Sequence, residues 1–217
     1  MDAFWIIAAA MILVLLTLMV RIMVTRRSYR NSEIVFRRNT VGKSYFDRNK
    51  NCYAYTKQLL EQQAGGGRVF TGLCIPQEGA AVELDLLMVH TTGIYLFEIK
   101  DYGGALNGEA ESKFWTLAFQ NGRTENLYNP IWQGRSRISA LEELLPETAA
   151  GLFFLYIVFG QRCVLQEVPQ PDKNTAVVGR ADLSALLEND FGERPGALSQ
   201  EQMDAACEKL AAYAGKK

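Results

Sequence analysis

Residues 82–100, VELDLLMVHTTGIYLFEIK, constrain the fold more than any other stretch of the chain. Two apolar runs flank Thr91-Thr92, and both alternate with a period of two, as strands do. Glu83, Asp85, Leu87 and Val89 therefore share one face of the first run, and Ile94, Leu96, Glu98 and Lys100 share one face of the second. Each face is apolar near the turn and charged at the far end. If Thr91-Thr92 is a two-residue turn, Asp85 faces Glu98 and Glu83 faces Lys100. A turn at Thr92-Gly93 shifts the register but keeps these four residues on one face. Only a loop of odd length would separate them.

Directly opposed strand residues hold their Cβ atoms about 4.5–5.5 Å apart. Two carboxylates that close repel, which destabilises the pair or raises one pKa. A bound cation removes the conflict, and hard oxygen ligands at this spacing suit Mg²⁺ or Mn²⁺. Such an ion polarises a phosphoryl oxygen and acidifies a bound water. Lys100 is then placed to position or deprotonate a nucleophile, or to stabilise developing charge. The simpler alternative is a strand end whose charges face water.

The surroundings read as a mixture of helices and strands. Phe46, Tyr53, Leu59 and Leu60 have helical spacing within residues 44–63, and Gly65-Gly66-Gly67 ends that helix. A strand is predicted over 68–75, a loop over 76–80, and strands over 82–90, 93–100 and 114–119, the last leading into a turn at Asn121-Gly122. Asn129-Pro130 opens a helix to about Leu145. LFFLYIVF, residues 152–159, is too short to cross a bilayer and reads as a central buried strand. Asp182–Leu187 reads as a short helix, and Ser199 with Gln202 as a capping box opening a last helix to about Ala214. The order predicts an α/β sandwich around a mixed sheet. There is no G-x-G-x-x-G or Walker pattern. The four cysteines form no C-x-x-C pair, and with the single His90 they make no zinc pattern. They read as reduced, buried thiols, with a reactive Cys52 as the lesser reading.

Residues 3–20, AFWIIAAAMILVLLTLMV, carry neither charge nor proline. At 1.5 Å per residue they extend roughly 27 Å, close to the hydrocarbon thickness of a bilayer. Residues 21–50 hold nine Lys/Arg against Glu33 and Asp47, and residues 51–217 hold 14 Lys/Arg against 21 acids. A basic stretch after an apolar one, with no basic residue before it, predicts an uncleaved anchor rather than a signal peptide. The expected arrangement is a single-pass protein of the cell membrane, contacting the lipid bilayer through residues 3–24, with the N-terminus outside and the rest cytoplasmic. Its expected divisions are an anchor over 1–24, a basic juxtamembrane linker over 25–43, a main domain over 44–190 and a C-terminal helix over 191–217.

The stretch 82–108, VELDLLMVHTTGIYLFEIKDYGGALNG, resembles the nuclease-related domain family of the restriction-endonuclease-like superfamily, whose signature is D-…-(D/E)-x-K. Trp115, the segment Asn129-Pro130-Ile131-Trp132-Gln133 and the run LFFLYIVF resemble further parts of the family pattern, so the likeness covers about residues 44–165. It implies a restriction-endonuclease-like mixed β-sheet core flanked by helices. It also implies Asp85 and Glu98 as ligands of Mg²⁺ or Mn²⁺, Lys100 as the catalytic lysine and Gln133 as an accessory polar group. Nucleic acid, DNA foremost, is the implied partner. One position departs from the pattern: where the family carries Gly-Glu early in the first helix, this chain has Asn51-Cys52. A thiol is a poor ligand for Mg²⁺. The resemblance therefore leaves two main readings: a membrane-anchored metal-dependent nuclease, or a catalytically degenerate module that binds nucleic acid or protein at the membrane. A membrane scaffold whose C-terminal helix contacts a partner is the third.

Overall fold

A computed structural model describes residue 19, residues 43–63, 65–77 and 80–170, and residues 172–214. Two compact units divide the chain, Met1–Val41 and Gly42–Lys217, and the description concerns the second. Apart from residue 19, the expected anchor and the linker up to residue 42 lie outside the described residues. Among the described residues, no helix is long and apolar enough to cross a membrane.

Helix α1 spans Lys43–Gln63 and is followed by strands β1 (Arg68–Gln77), β2 (Ala80–His90) and β3 (Gly93–Lys100). β1 and β2 both extend into the region expected to be a loop, because their backbones stay paired out to Gln77↔Ala80. Short strands β4 (Gly104–Asn107), β5 (Phe114–Ala118) and β6 (Thr124–Tyr128) lead to helix α2 (Pro130–Leu144). Strands β7 (Phe153–Phe159), β8 (Cys163–Glu167) and β9 (Thr175–Gly179) follow, then helices α3 (Leu183–Glu193) and α4 (Gln200–Ala211). The capping box at Ser199 and Gln202 is present, with each side chain bonded to the other residue's backbone amide.

The strands form two mixed sheets. The larger has the order β1-β2-β3-β7-β9, and the smaller has the order β6-β5-β4-β8. β3, β7 and β9 run parallel, and β1, β2 and β3 run antiparallel. Every residue of β3 and β7 is buried, which explains their near-continuous apolar sequences. One face of the large sheet carries Leu86, Met88, Tyr95, Phe97, Tyr156 and Val158 against Leu59 and Leu60 of α1 and Leu183 and Leu187 of α3. A fully buried side chain of this size contributes about 1.5–3 kcal/mol by leaving water. The opposite face of β3, with Ile94, Leu96, Glu98 and Lys100, is the face on which α2 packs.

The two parallel strands β3 and β7 run on together into the small sheet, β3 into β4 and β7 into β8, where the pairing is again parallel. The crossing is pinned by two backbone bonds, Gly160 N–H to the Lys100 carbonyl at 2.8 Å and Gly104 N–H to the Arg162 carbonyl at 3.0 Å. A Cβ on Gly160 would lie 2.1 Å from Asp101 Oδ1, so only glycine permits this approach. The charged ends of the hairpin sit at this junction of the two sheets.

Candidate active site

The β2–β3 turn is Thr91-Thr92, and the register places Leu86 opposite Phe97 and His90 opposite Gly93. This is the register of the two-residue turn. Pairing stops at Leu86↔Phe97, however, one step short of Asp85 and Glu98. β2 stays with β1 beyond that point while β3 stays with β7, so the two central strands part where the carboxylates begin. The β1–β2 pairs also pass from Thr71↔Leu86 to Leu73↔Leu84, skipping Gly72 and Asp85. Gly72 has φ +60°, a left-handed conformation that most side chains disfavour. Both neighbours of β2 are thus irregular at Asp85. The half-buried Asp85 side chain bridges the gap, its Oδ2 accepting the Ile99 amide at 2.8 Å.

Glu98 is 0% exposed and Lys100 4%. Lys100 Nζ lies 3.2 Å from Glu98 Oε2 and donates to Gln133 Oε1 at 2.9 Å. The guanidinium of Arg137 also pairs with Glu98 Oε2. Glu98 Oε1 has no hydrogen-bond partner among the described residues. Glu83 is exposed and does not share this enclosure.

Gln133 and Arg137 reach the cluster because α2 is fixed at its start. Asn129 is 0% exposed, its Oδ1 accepts the Ile131 amide at 2.9 Å, and its Nδ2 donates to the carbonyls of Ala110 at 2.9 Å and Ser112 at 2.7 Å. Pro130 takes the first helical position, where its missing N–H costs nothing. Gln133 then lies one turn in and Arg137 one turn further, stacked on one face. Arg137 was not foreseen from the sequence. Its spacing of four from Gln133 is the signal that would have found it.

The electrostatics separate the two carboxyls. Burial pushes Asp85 above the usual carboxylate range, and the neighbouring Glu98 charge pushes it further, against the pull of Lys100 and Arg137. Burial also acts to raise Glu98, but the adjacent Arg137 guanidinium and Lys100 ammonium together hold it below its ordinary value. Glu98 is therefore the ionised member of the pair. Asp85 holds its proton more tightly than an ordinary carboxyl.

Among the described residues, no three His, Cys, Asp or Glu side chains come together as a metal-binding group. The donors at hand are two carboxylates, one with a buried oxygen left unpartnered. This set fits a hard divalent ion, since Mg²⁺ commonly binds through one or two carboxylates and fills the rest of its shell with water and substrate phosphate. Cys52 adds nothing to it. The residue is 1% exposed, packs within the core under α1, and burial pushes its thiol up to about 11, with the Asp101 charge adding to the shift. A reactive-thiolate role is excluded by that environment. All four cysteines are free thiols. On the same helix, burial raises the Tyr53 hydroxyl, and the charges of Asp85 and Glu83 act in the same direction.

The chain has relatives among known proteins. The sequence model of the nuclease-related domain matches residues 48–160, which includes α1 from its early turns, the β2–β3 hairpin, α2 and β7. An uncharacterized protein of Bacillus anthracis is 24% identical over 111 residues, covering 51% of each chain, so the alignment spans about half the length of that relative. Among solved structures, the small subunit of the heterodimeric restriction endonuclease R.BspD6I superposes with a TM-score of 0.32 at 12% identity, over 88% of this chain and 97% of that subunit. At that TM-score the superposition carries no argument, and the fold stands on its own sheet order. The family match covers more than half of the chain: this protein belongs to the nuclease-related domain family.

Proposed function

We propose that this protein is a divalent-metal-dependent nuclease that hydrolyses phosphodiester bonds of DNA or RNA and is held at the membrane by residues 3–24. The observation that carries the reading is the enclosed cluster of Asp85, Glu98, Lys100 and Gln133, with a buried carboxylate oxygen of Glu98 left without a partner. Asp85 and Glu98 would hold a Mg²⁺ or Mn²⁺ ion, which supplies polarisation of the phosphoryl oxygen and acidification of a water. Lys100 is fixed between Glu98 and Gln133, so its ammonium points at a defined place and needs no reorganisation to stabilise charge there. Gln133 acts by orienting Lys100, and its amide donors are oriented with it. The restricted exposure of the cluster keeps water from screening these charges. Residues 3–20 and the basic stretch after them support the anchor, with the domain facing the cytoplasm.

Cleavage of plasmid DNA and of a single-stranded RNA by the full-length chain in detergent, with Mg²⁺ or Mn²⁺, tests this reading. Cleavage that requires the ion, disappears in Glu98→Gln and falls by roughly 10²–10³-fold in Lys100→Ala is the expected result. Activity that survives both substitutions would falsify the assignment.

A second reading has its own support. Cys52 stands where the resemblance expects a glutamate, and its buried thiol offers no oxygen ligand. A degenerate domain that binds nucleic acid or a membrane partner without turnover accounts for that. Metal-independent DNA binding with no cleavage under any ion favours it, and Mn²⁺ binding that Asp85→Asn abolishes counts against it.

A further inference from the structure

The two oxygens of Glu98 are used unequally. Lys100 Nζ lies 3.2 Å from Oε2 and the Arg137 guanidinium pairs with the same atom, while Oε1 has no hydrogen-bond partner among the described residues. A carboxylate oxygen offers about two lone-pair sites. Those of Oε2 are taken by two cations, and those of Oε1 are open. Neither cation is loosely placed. Lys100 is 4% exposed and also donates to Gln133 Oε1. Arg137 keeps only 12% of its side-chain surface, its Nε and Nη1 atoms are fully buried, and it is held by more than its pair with Glu98. A guanidinium enclosed in this way keeps its place on Oε2 when an ion enters.

We infer that Arg137 is a specificity-determining residue: it restricts Glu98 to coordination through one oxygen, so that the site selects a small octahedral ion over Ca²⁺. The inference rests on the nuclease reading above. An ion held by both oxygens of Glu98 would stand against Oε2, beside an ammonium and a guanidinium. Like charges that close, in a site poor in water, repel strongly. An ion held by Oε1 alone avoids that approach. Ca²⁺ takes about six to eight oxygens and often claims both oxygens of a carboxylate. Mg²⁺ is smaller, needs only one or two carboxylates, and completes its shell with water and phosphate oxygens. Closing Oε2 therefore costs Ca²⁺ a ligand and costs Mg²⁺ none. Arg137 acts through Glu98 and touches neither ion nor substrate, so it is a positioning residue for the metal ligand.

The test uses the full-length chain in detergent and reads ion binding without turnover. Mn²⁺ is followed by electron paramagnetic resonance, with Mg²⁺ and Ca²⁺ as competitors. The change in local charge acts on both competitors alike and cancels in the ratio of their affinities, so the ratio reports coordination. Arg137→Ala frees a site on Oε2, and Arg137→Met frees the same site while keeping an apolar stem in the buried space. In both, the preference for Mg²⁺ over Ca²⁺ should fall by roughly tenfold, which corresponds to about 1.4 kcal/mol. A residue that only supports the fold would weaken both ions together and leave the ratio unchanged. Infrared difference spectra give a second reading that needs no Arg137 variant. A carboxylate gripped by an ion through both oxygens lowers its antisymmetric stretch, and one held through a single oxygen does not. On addition of Ca²⁺, wild type should show no lowered band that vanishes in Glu98→Gln. If wild type shows no Mn²⁺ binding that Asp85→Asn abolishes, the metal-dependent reading falls and this inference with it. If Mn²⁺ binds through Asp85, but the ratio is the same in wild type and the Arg137 variants, the inference alone is overturned. A lowered Glu98 band in wild type with Ca²⁺ overturns it as well, and that spectrum decides should neither variant fold.

Discussion

In the large sheet, β3 is buried along its whole length and still carries Glu98 and Lys100, whereas in the small sheet β6 leaves Thr124, Glu125 and Asn126 open to solvent. Each region pairs its charges. Arg123 meets Glu125 at the tip of the β5–β6 hairpin with both side chains more than half exposed, and it also lies 4.9 Å from the Phe119 ring centroid. Lys100 and Arg137 meet Glu98 where almost no water reaches. The energetic meaning differs. An exposed pair contributes about 0–1 kcal/mol, and a small sheet gains or loses little by it. Burying an ion costs several kcal/mol before its partners offset it, and apolar residues of similar size would often serve stability as well or better. A fold that keeps two acids and two bases at the junction of its sheets is therefore not doing so for stability. Shifted carboxyls enclosed with cations are the pattern expected at a functional site, which is the reading proposed above.

The largest expected effect comes from breaking the buried side of this comparison. Glu98→Ala removes the buried carboxylate that Lys100 and Arg137 share, and should lower stability by about 3–5 kcal/mol in denaturant unfolding while abolishing cleavage. Lys100→Ala removes charge stabilisation from the site with less harm to the fold. It should reduce the cleavage rate by roughly 10²–10³-fold while Mn²⁺ binding persists, a difference that separates a lysine acting on the reaction from one that merely supports the ligands. Gly160→Ala forces a Cβ onto Asp101 at the strand crossing and should cost about 1–3 kcal/mol in thermal unfolding.

The pH dependence follows from Asp85. Its carboxyl is raised above the unfolded value by burial and by Glu98, so the folded protein holds this proton more tightly than the unfolded chain. Stability of the metal-free protein therefore falls as pH rises from the ordinary carboxylate range through the raised value. Asp85→Asn, whose amide oxygen can still accept the Ile99 amide, should remove that decline and make the metal-free protein the more stable of the two at alkaline pH. Mn²⁺ affinity of wild type should show the opposite trend, weakening as pH drops through the same window, with a proton released on binding. Calorimetry in two buffers of different ionisation enthalpy counts that proton. At the small end, Arg123→Ala should change stability by less than about 0.5 kcal/mol. A larger effect there would contradict the contrast between the sheets.

The same contrast explains which parts could be read from the amino acids. The hairpin was readable because strict alternation and a Thr-Thr-Gly turn fix face and register together, and β7 because a central parallel strand is apolar throughout. Helix α2 announced itself through Asn129-Pro130. Of the small sheet only β5 and the turn after it were readable, because β4 and β8 are four and five residues long and mixed in exposure. They are strands only because β3 and β7 deliver them side by side past the Gly104 and Gly160 crossings. β9 was missed for a related reason, being held by pairing with β7 rather than by a local pattern. Helix α3 runs to Glu193, beyond its expected end, since Asp190 in its last turns accepts the Tyr156 hydroxyl and pairs with Arg194. In the site, the side chains on strands were foreseen and the strand parting at Asp85 was not, because the place where two strands stop pairing depends on both outer neighbours. The Arg137 contact needed the depth of α2 over the sheet.

Soaking crystals of the protein in Mn²⁺ and recording anomalous scattering tests the central claim most directly. The account predicts one strong peak in contact with an Asp85 oxygen and Glu98 Oε1. A map at saturating Mn²⁺ with no peak between these carboxylates, and Asp85 still bonded only to the Ile99 amide, would contradict it.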